Sequence, residues 1–276
     1  MNVSHVHNPY NTTALTKAVT KRHEWMSRGY VWDSIVEDRD LPSNVKYMVV
    51  DLETHDWTHR DPLLASGCIV EIAWKLFSDT GDCLESKQYL IKPYGTYKQI
   101  AKKATEVHGI TTERASKHGD DVELVLDEFI RIVENIPKDG FVIAHNMDHE
   151  HTVLTNSFSP DQRIVWNDAP KCDTWNVRLL KFLPEEAKDK YKNRLTYTHC
   201  GLRLQQLHEC VCPGGVYDYA HFADTDVQMT WEIFRYYKQH ATVEELKWTE
   251  PSVEERETNA TEDPAQASNS KKARTD

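Results

Sequence analysis

The sequence predicts a mixed α/β fold in which helices pack on both faces of one sheet. Two observations lead to this prediction. Strand-like apolar segments come first along the chain, and helical and strand-like segments alternate after them. The composition also suits a folded core, because 39% of the 276 residues are hydrophobic and 10% are aromatic.

The first predicted strands are three apolar segments bounded by turn residues. They are Tyr47–Asp51, Ile69–Phe77 and Glu85–Ile91. The Asp-Thr-Gly-Asp turn at residues 79–82 separates the second strand from the third, so these two are expected to pair as a hairpin. A fourth, shorter strand is expected at Phe141–Ala144, directly after Gly140.

The predicted helices follow from apolar spacing and from residues that start or stop a helix. In the segment from Val122 to Ile136, apolar residues recur at helical intervals. Further helices are expected from Met147 onward, at Asp173–Leu183 before Pro184, around Leu204 and Leu207, and at Asp224–Tyr237.

Composition divides the chain into three parts. Residues 1–46 form an N-terminal extension that is partly helical, with a possible helix from Thr13 to Ser27. Residues 47–240 form the folded domain. Residues 241–276 are expected to be an acidic, disordered tail, because Glu, Thr, Asn, Ala and Ser dominate there.

The charge and the apolar pattern restrict the classes of partner and compartment. With a net charge of −11, a polyanion is expected to bind weakly and locally, and not along an extended basic surface. No apolar run reaches the roughly 18 residues of a membrane span, and the N-terminus does not resemble a secretory signal. We therefore expect an intracellular protein of the cytoplasm or nucleus, with reduced cysteines and an oligomeric state that the sequence leaves open.

A group of histidines and cysteines near residue 205 raises the question of a zinc site. Its members are His199, Cys200, His208, Cys210 and Cys212. The Cys-x-Cys spacing is tighter than that of the usual zinc motifs, which separate cysteines by about two to four residues. Leucines at 202, 204 and 207 instead indicate a packed helix, so the sequence favours a helix over a zinc site.

Carboxylates at the ends of predicted elements indicate the chemistry. Asp51 and Glu53 end an apolar strand, and side chains two residues apart on a strand share a face. Such carboxylates repel each other unless a cation lies between them, and oxygen ligands suit Mg²⁺ or Mn²⁺. Glu150 follows the fourth strand, and Asp226 lies five residues after His221. With histidine as a general base, the set predicts metal-assisted phosphodiester hydrolysis.

The order and context of these residues resemble the DEDDh family of 3′→5′ exonucleases, which belong to the ribonuclease H-like superfamily. Three further segments are similar to the family pattern: residues 100–111, Cys172-Asp173-Thr174, and the paired leucines 204 and 207. The resemblance implies a ribonuclease H-like mixed sheet with helices on both faces. It also implies hydrolysis of DNA or RNA from the 3′ end with two divalent cations, Mg²⁺ or Mn²⁺, and single-stranded rather than double-stranded partners.

The resemblance also implies a role for each site residue. Asp51 would bridge both ions, and Glu53 and Asp226 would complete their coordination. Glu150 would act through a bound water and His221 would be the general base. The implied substrate-binding residues are Leu52, Thr54, His108 and Asn146.

One position departs from the family pattern. The family usually has Phe-Asp where this chain has His149 and Glu150, and Leu154 keeps the apolar spacing that follows the catalytic position. This spacing assigns the third carboxylate to Glu150, with Asp148 as the alternative. Two other functions stay open: a nuclease-derived module that binds nucleic-acid ends without cutting, and a protein–protein adaptor. Residues 54–67 are interpreted either as a lid over the site or as a plain surface loop.

Overall fold

One five-stranded sheet organises the part of the chain that the structure describes. The structure is a computed structural model that describes residues 20–24, 26, 31–35, 40–56, 68–95, 98–193, 195, 202–214 and 222–250. The strands are β1 (Tyr47–Thr54), β2 (Ile69–Phe77), β3 (Cys83–Leu90), β4 (Phe141–Ala144) and β5 (Lys171–Asp173). Their order is β3-β2-β1-β4-β5; β1 to β3 are antiparallel, and β4 and β5 run parallel to β1.

Helices follow or separate the strands. They are α1 (Lys102–His108), α2 (Thr112–His118), α3 (Val122–Glu134), α4 (Met147–Ser157), α5 (Pro160–Asp168), α6 (Glu185–Tyr191), α7 (Leu204–Val211), α8 (Ala223–His240) and α9 (Val243–Leu246), with a 3₁₀ helix at Val177–Phe182. None of the helices in the described residues is long and apolar enough to cross a membrane.

Apolar residues of β1 alternate between two cores, one on each face of the sheet. Met48 and Val50 pack with residues of α3, α4 and α5, including Phe129. Tyr47 and Val49 pack with residues of α8 on the opposite face. This arrangement confirms the predicted mixed sheet with helices on both faces.

The pairing of β4 with β1 places a helix beside the end of β1. Val49 is paired with Ile143, so α4 begins close to the point where β1 reaches Asp51. Gly140 makes this close approach possible, because a Cβ at that position would lie 2.1 Å from the carbonyl oxygen of Lys46. A larger residue there would push β4 away from β1.

The predicted helix Asp173–Leu183 is wrong at its start. Asp173 ends strand β5, and the helical segment is the 3₁₀ helix Val177–Phe182. The extended pairing continues to Thr174, whose N–H donates to the carbonyl of Ala144 (3.0 Å). The Asp173 carboxylate then accepts from the N–H of Trp175 (2.8 Å), which forms a turn and delays the helix.

Some predictions fall beyond the described residues or stay untested. The predicted helix Thr13–Ser27 lies mostly outside the described residues, although residues 20–24 are helical. The division of the chain at 46 and 240 stays a prediction. Residues after His240 do pack on the sheet, since the N–H of Trp248 donates to the carbonyl of Lys171 (2.8 Å) and Leu246 is buried.

Candidate active site

Three carboxylates converge where β1 meets α8. Asp51 and Glu53 are partly exposed on the same face of β1, and Asp226 is buried in the first turn of α8. One carboxylate oxygen from each lies within 4.8 Å of the others. Residues that are 173 positions apart in sequence are thus brought together, as the carboxylate pattern predicts.

Glu150 is the fourth acidic residue at this place. It lies on α4 and is only 3% exposed, and its Oε2 has no hydrogen-bond partner among the described residues. Asp148 is exposed, and its carboxylate accepts a hydrogen bond from the indole N–H of Trp248 (2.8 Å). The buried, unsatisfied carboxylate therefore belongs to Glu150 and not to Asp148.

Repulsion among these carboxylates is large. Burial raises the pKa of Asp51 well above its usual value, and the charges of Asp226 and Glu71 raise that pKa further. Burial also raises the pKa values of Glu53 and Glu150, followed in both by the charge of Asp51. Such crowding is typical of a site that a cation neutralises.

The donor atoms fit a divalent cation that prefers oxygen. The group of Asp51, Glu53 and Asp226 offers only carboxylate oxygens, which suit Mg²⁺ or Mn²⁺ better than Zn²⁺ or Cu²⁺. The buried Oε2 of Glu150 would gain a partner from a cation or from its bound water. The expected metal ligands therefore lie together, and their binding of a metal stays a prediction.

A short network fixes the start of the helix that carries Glu150. Asn146 precedes α4 in the left-handed conformation (φ 74°, ψ 59°), and its N–H donates to the Asp173 carboxylate (2.9 Å). Burial raises the pKa of Asp173 to about 6, while the N–H groups of Trp175 and Asn146 lower it. Asp173 and Asn146 thus set the position from which Glu150 extends toward Asp51.

A fifth acidic residue, Glu71, is buried beside the site, and the sequence did not predict its place there. Glu71 lies opposite Glu53 in the antiparallel pairing of β1 with β2 and is fully buried. Its carboxylate makes a bidentate ion pair with Arg22, with distances of 2.7 and 3.1 Å. A glutamate within the apolar strand β2 was a visible sign of a buried polar contact, whereas Arg22 had no such sign.

Arg22 connects elements that surround the site. Its guanidinium donates to the carbonyl of His108 at the end of α1 (3.1 Å) and lies 4.1 Å from the ring centroid of Phe222. Glu71 also accepts hydrogen bonds from Trp32 and Gln88. Burial opposes the charged form of Glu71, but the charge and hydrogen bonds of Arg22 lower its pKa overall. The charge of Glu71 in turn raises the pKa values of Asp51 and Glu53.

We expect Arg22→Met to lower the free energy of unfolding by about 3–5 kcal/mol, the cost of removing one partner of a buried ion pair. The reason is that Glu71 would stay buried without its cation. Chemical denaturation measures the change, with exposed Lys21→Met as the matched control. The double variant with Glu71→Gln should recover part of the loss, and a loss below about 1 kcal/mol in the single variant would contradict this role.

The raised pKa values predict how pH affects the metal-free chain. Asp51, Glu53 and Glu150 hold protons in the folded state at pH values where the unfolded chain, with ordinary values of 3.8 and 4.5, has released them. Each therefore contributes stability at low pH that is lost as pH rises through its folded-state pKa. In EDTA, the Tm of Glu150→Gln should exceed that of the wild type by a margin that grows as pH rises above 4.5, the ordinary value of a glutamate. A margin independent of pH would contradict the raised pKa of Glu150.

The other predicted site residues are placed as follows. His221 and residues 57–67 of the predicted loop lie outside the described residues. The side chain of Leu52 packs in the core, and the hydroxyl of Thr54 donates to the carbonyl of Asp56 (3.1 Å). His108 is 2% exposed, and its Nδ1 accepts from the N–H of Ile110 (3.1 Å). Contact of Leu52, Thr54 and His108 with a substrate stays a prediction.

Solved structures of exonuclease I share the fold of this chain. E. coli exonuclease I in complex with a dA16 oligonucleotide matches with a TM-score of 0.54 and 21% identity over 70% of this chain and 40% of that chain. The zinc-bound form of its complex with single-stranded DNA matches with a TM-score of 0.53 and 20% identity over 70% and 40% of the two chains. A product-bound exonuclease I matches with a TM-score of 0.54 and 18% identity over 71% and 44%.

These likenesses establish the fold, which is ribonuclease H-like. No family model matches the sequence, and no curated protein matches it. The chain also aligns with less than half the length of the exonuclease I chains. The predicted fold is therefore confirmed, while the activity rests on the site itself.

Proposed function

We propose that this chain is a metal-dependent 3′→5′ exonuclease that hydrolyses phosphodiester bonds at the 3′ end of single-stranded DNA or RNA. The proposal depends on one observation: Asp51, Glu53 and Asp226 converge within 4.8 Å beside the buried Glu150. Four crowded carboxylates destabilise a fold unless cations neutralise them, so their convergence favours a metal-dependent function. The fold shared with exonuclease I, solved with single-stranded DNA, supports a nucleic-acid substrate.

The resemblance to the DEDDh family implies a role for each residue. Asp51, Glu53 and Asp226 would bind the cations directly, and Glu150 would do so through a water molecule. When bound, two Mg²⁺ or Mn²⁺ ions would align the attacking water with the leaving oxygen and stabilise the negative charge that develops during cleavage. His221 would accept the proton of the attacking water, because a neutral imidazole is a general base near neutral pH. Asn146, ahead of α4, would position the 3′ end.

A glutamate at position 150 requires a particular geometry. Its side chain is one carbon–carbon bond longer than that of aspartate, about 1.5 Å. Mg²⁺ keeps several of its waters, so a carboxylate that does not reach the ion directly can still act through one of them. Because Asp173 and Asn146 fix the start of α4, the extra length of Glu150 would not be taken up by movement of the helix.

We expect Glu150→Gln to reduce the turnover rate by about 10²–10³-fold while the chain stays folded, because one electrostatic group of the site is neutralised. Glu150→Asp should keep most of the activity. Asp148→Asn is the matched control, since Asp148 is exposed and bonded to Trp248. Single-turnover cleavage of a labelled oligonucleotide measures all three variants. An inactive Asp148→Asn with an active Glu150→Gln would assign the ligand to Asp148 instead.

Activity itself is tested with the purified chain and 5′-labelled DNA and RNA, each single- and double-stranded, in Mg²⁺, Mn²⁺ or EDTA. We expect cleavage of single strands in either metal and none in EDTA. Binding of 3′ ends without cleavage in any metal would indicate that the chain is an end-binding module and not an enzyme. Neither binding nor cleavage would favour a protein–protein adaptor, and either result would overturn the proposal.

A further inference from the structure

Helices α7 and α8 bring three different donor atoms together outside the carboxylate site. His208 lies on α7, Cys212 is the capping residue at the C-terminus of α7, and Glu232 lies on α8. One nitrogen, one sulfur and one oxygen from these residues all lie within 4.8 Å of one another. No motif in the sequence links Glu232 to the other two, since it lies 20 residues after Cys212.

The helix geometry makes this grouping specific. Cys212 follows His208 by four residues, and its N–H donates to the His208 carbonyl (2.8 Å), so the two side chains lie on the same face of α7. The Sγ of Cys210 donates to the Gln206 carbonyl (3.0 Å), and Cys210 is not one of the grouped residues. The structure therefore separates the two cysteines whose close spacing argued against zinc.

The three side chains are already arranged around a common point. His208 is 2% exposed, and its Nε2 lies 2.6 Å from Oε2 of Glu232. The other oxygen of Glu232 accepts a hydrogen bond from the amide of Gln228 (2.9 Å). The imidazole and the carboxylate are thus already in contact, and a bound ion would replace this hydrogen bond with one bond to each residue.

The chemistry of the donors selects the metal. Imidazole nitrogen, thiolate sulfur and carboxylate oxygen are the three ligand types of Zn²⁺, with bonds of about 2.0–2.3 Å. In a tetrahedral site such ligands are roughly 3.3–3.7 Å apart, so atoms within 4.8 Å reach it by small side-chain shifts. Mg²⁺ and Mn²⁺ do not favour sulfur, which distinguishes this group from the all-oxygen site at Asp51.

The charges of the group also fit a divalent cation. A thiolate at Cys212 and a carboxylate at Glu232 together would neutralise the two positive charges of such an ion. Coordination would release the thiol proton and leave the ligating imidazole nitrogen unprotonated.

We propose that His208, Cys212 and Glu232 bind a Zn²⁺ ion that fastens α7 to α8. Cys212 and Glu232 are partly exposed, and the exposed Pro213 and Gly214 follow, so a water molecule would have access to the position that the three residues leave open. The chain between Cys212 and Glu232 contains both His221 and Asp226. On the proposed function, the ion would hold α8, which carries the metal ligand Asp226, although zinc binding does not depend on that function.

The test uses Zn²⁺ and the spectroscopic probe Co²⁺. The purified chain, desalted after exposure to Zn²⁺, should retain about one ion per chain, and this content should be lost in Cys212→Ser and in Glu232→Gln. After chelation and reloading with Co²⁺, a thiolate-to-cobalt charge-transfer band should appear in the wild type. The affinity for Zn²⁺ should fall by more than roughly 100-fold in Cys212→Ser. Loss of a residue that only holds a ligand in place costs roughly 10–100-fold.

Two controls distinguish binding at this site from binding at Cys210 or at the carboxylate site. Cys210→Ser, a cysteine on the same helix outside the group, should keep both the zinc and the cobalt band. Asp51→Asn should also keep the cobalt band, because the carboxylate site contains no sulfur. A folded wild type without the band, or a band that survives Cys212→Ser, would overturn the proposal whether or not the chain cleaves nucleic acid.

Discussion

Asp51→Asn should reduce phosphodiester hydrolysis by about 10³-fold and should also raise the Tm of the metal-free chain. The loss of rate is expected because Asp51 is one of the three carboxylates that lie within 4.8 Å of one another, and one preorganised electrostatic group contributes up to about 10³-fold. The gain in stability is expected because the charge of Asp51 raises the pKa values of Glu53 and Glu150 in the folded chain. A change that removes activity and increases stability is typical of a functional site rather than of a structural residue.

Single-turnover cleavage and thermal melting in EDTA measure the two effects of Asp51→Asn. The increase in Tm that Mn²⁺ causes in the wild type should disappear in the variant, since a ligand is lost. Asp224→Asn is the matched control, because this carboxylate, two residues before Asp226, is engaged by Lys75 (3.2 Å) and Ser86 (3.0 Å). An active Asp51→Asn with an unchanged response to Mn²⁺ would contradict the assignment of the ligands.

His221→Ala should lower the turnover rate by roughly 10²–10⁴-fold, the usual contribution of a positioned general base. The wild-type rate should fall at acidic pH, because a protonated imidazole cannot accept a proton. The Mn²⁺-dependent increase in Tm should be kept, since the imidazole is not expected to be a ligand. Exposed His118→Ala is the control for removal of a histidine. Near-normal turnover, or loss of the Mn²⁺ response, would contradict the role of His221.

The local rules of strands and helices predicted much of the carboxylate site. Asp51 and Glu53 share a face because side chains alternate along a strand, and Asp226 lies in the first turn of a helix, as expected. The choice of Glu150 over Asp148 followed from the spacing to Leu154. The structure adds an argument for this choice that the local sequence does not contain. The carboxylate of Asp148 accepts a hydrogen bond from Trp248, which lies 100 residues away in sequence.

The remaining features depend on contacts between distant parts of the chain. Arg22 belongs to a segment without a recognisable motif, and only the fold brings it to Glu71, 49 residues later. The turn at Asp173 replaced the expected helix start because its carboxylate accepts from backbone N–H groups of two separate segments. The proposed zinc site likewise depends on Glu232 from a neighbouring helix, which no spacing rule for cysteines predicts.

The direction and metal dependence of cleavage test the central claim most directly. One single-stranded oligonucleotide is labelled at its 5′ end in one sample and at its 3′ end in another, and both are digested in Mg²⁺ or in EDTA. The proposed activity predicts a ladder that shortens one nucleotide at a time from the 5′-labelled strand, immediate release of labelled mononucleotide from the 3′-labelled strand, and no products in EDTA. Release of the 5′ label as a mononucleotide, internal fragments alone, or undiminished cleavage in EDTA would contradict it.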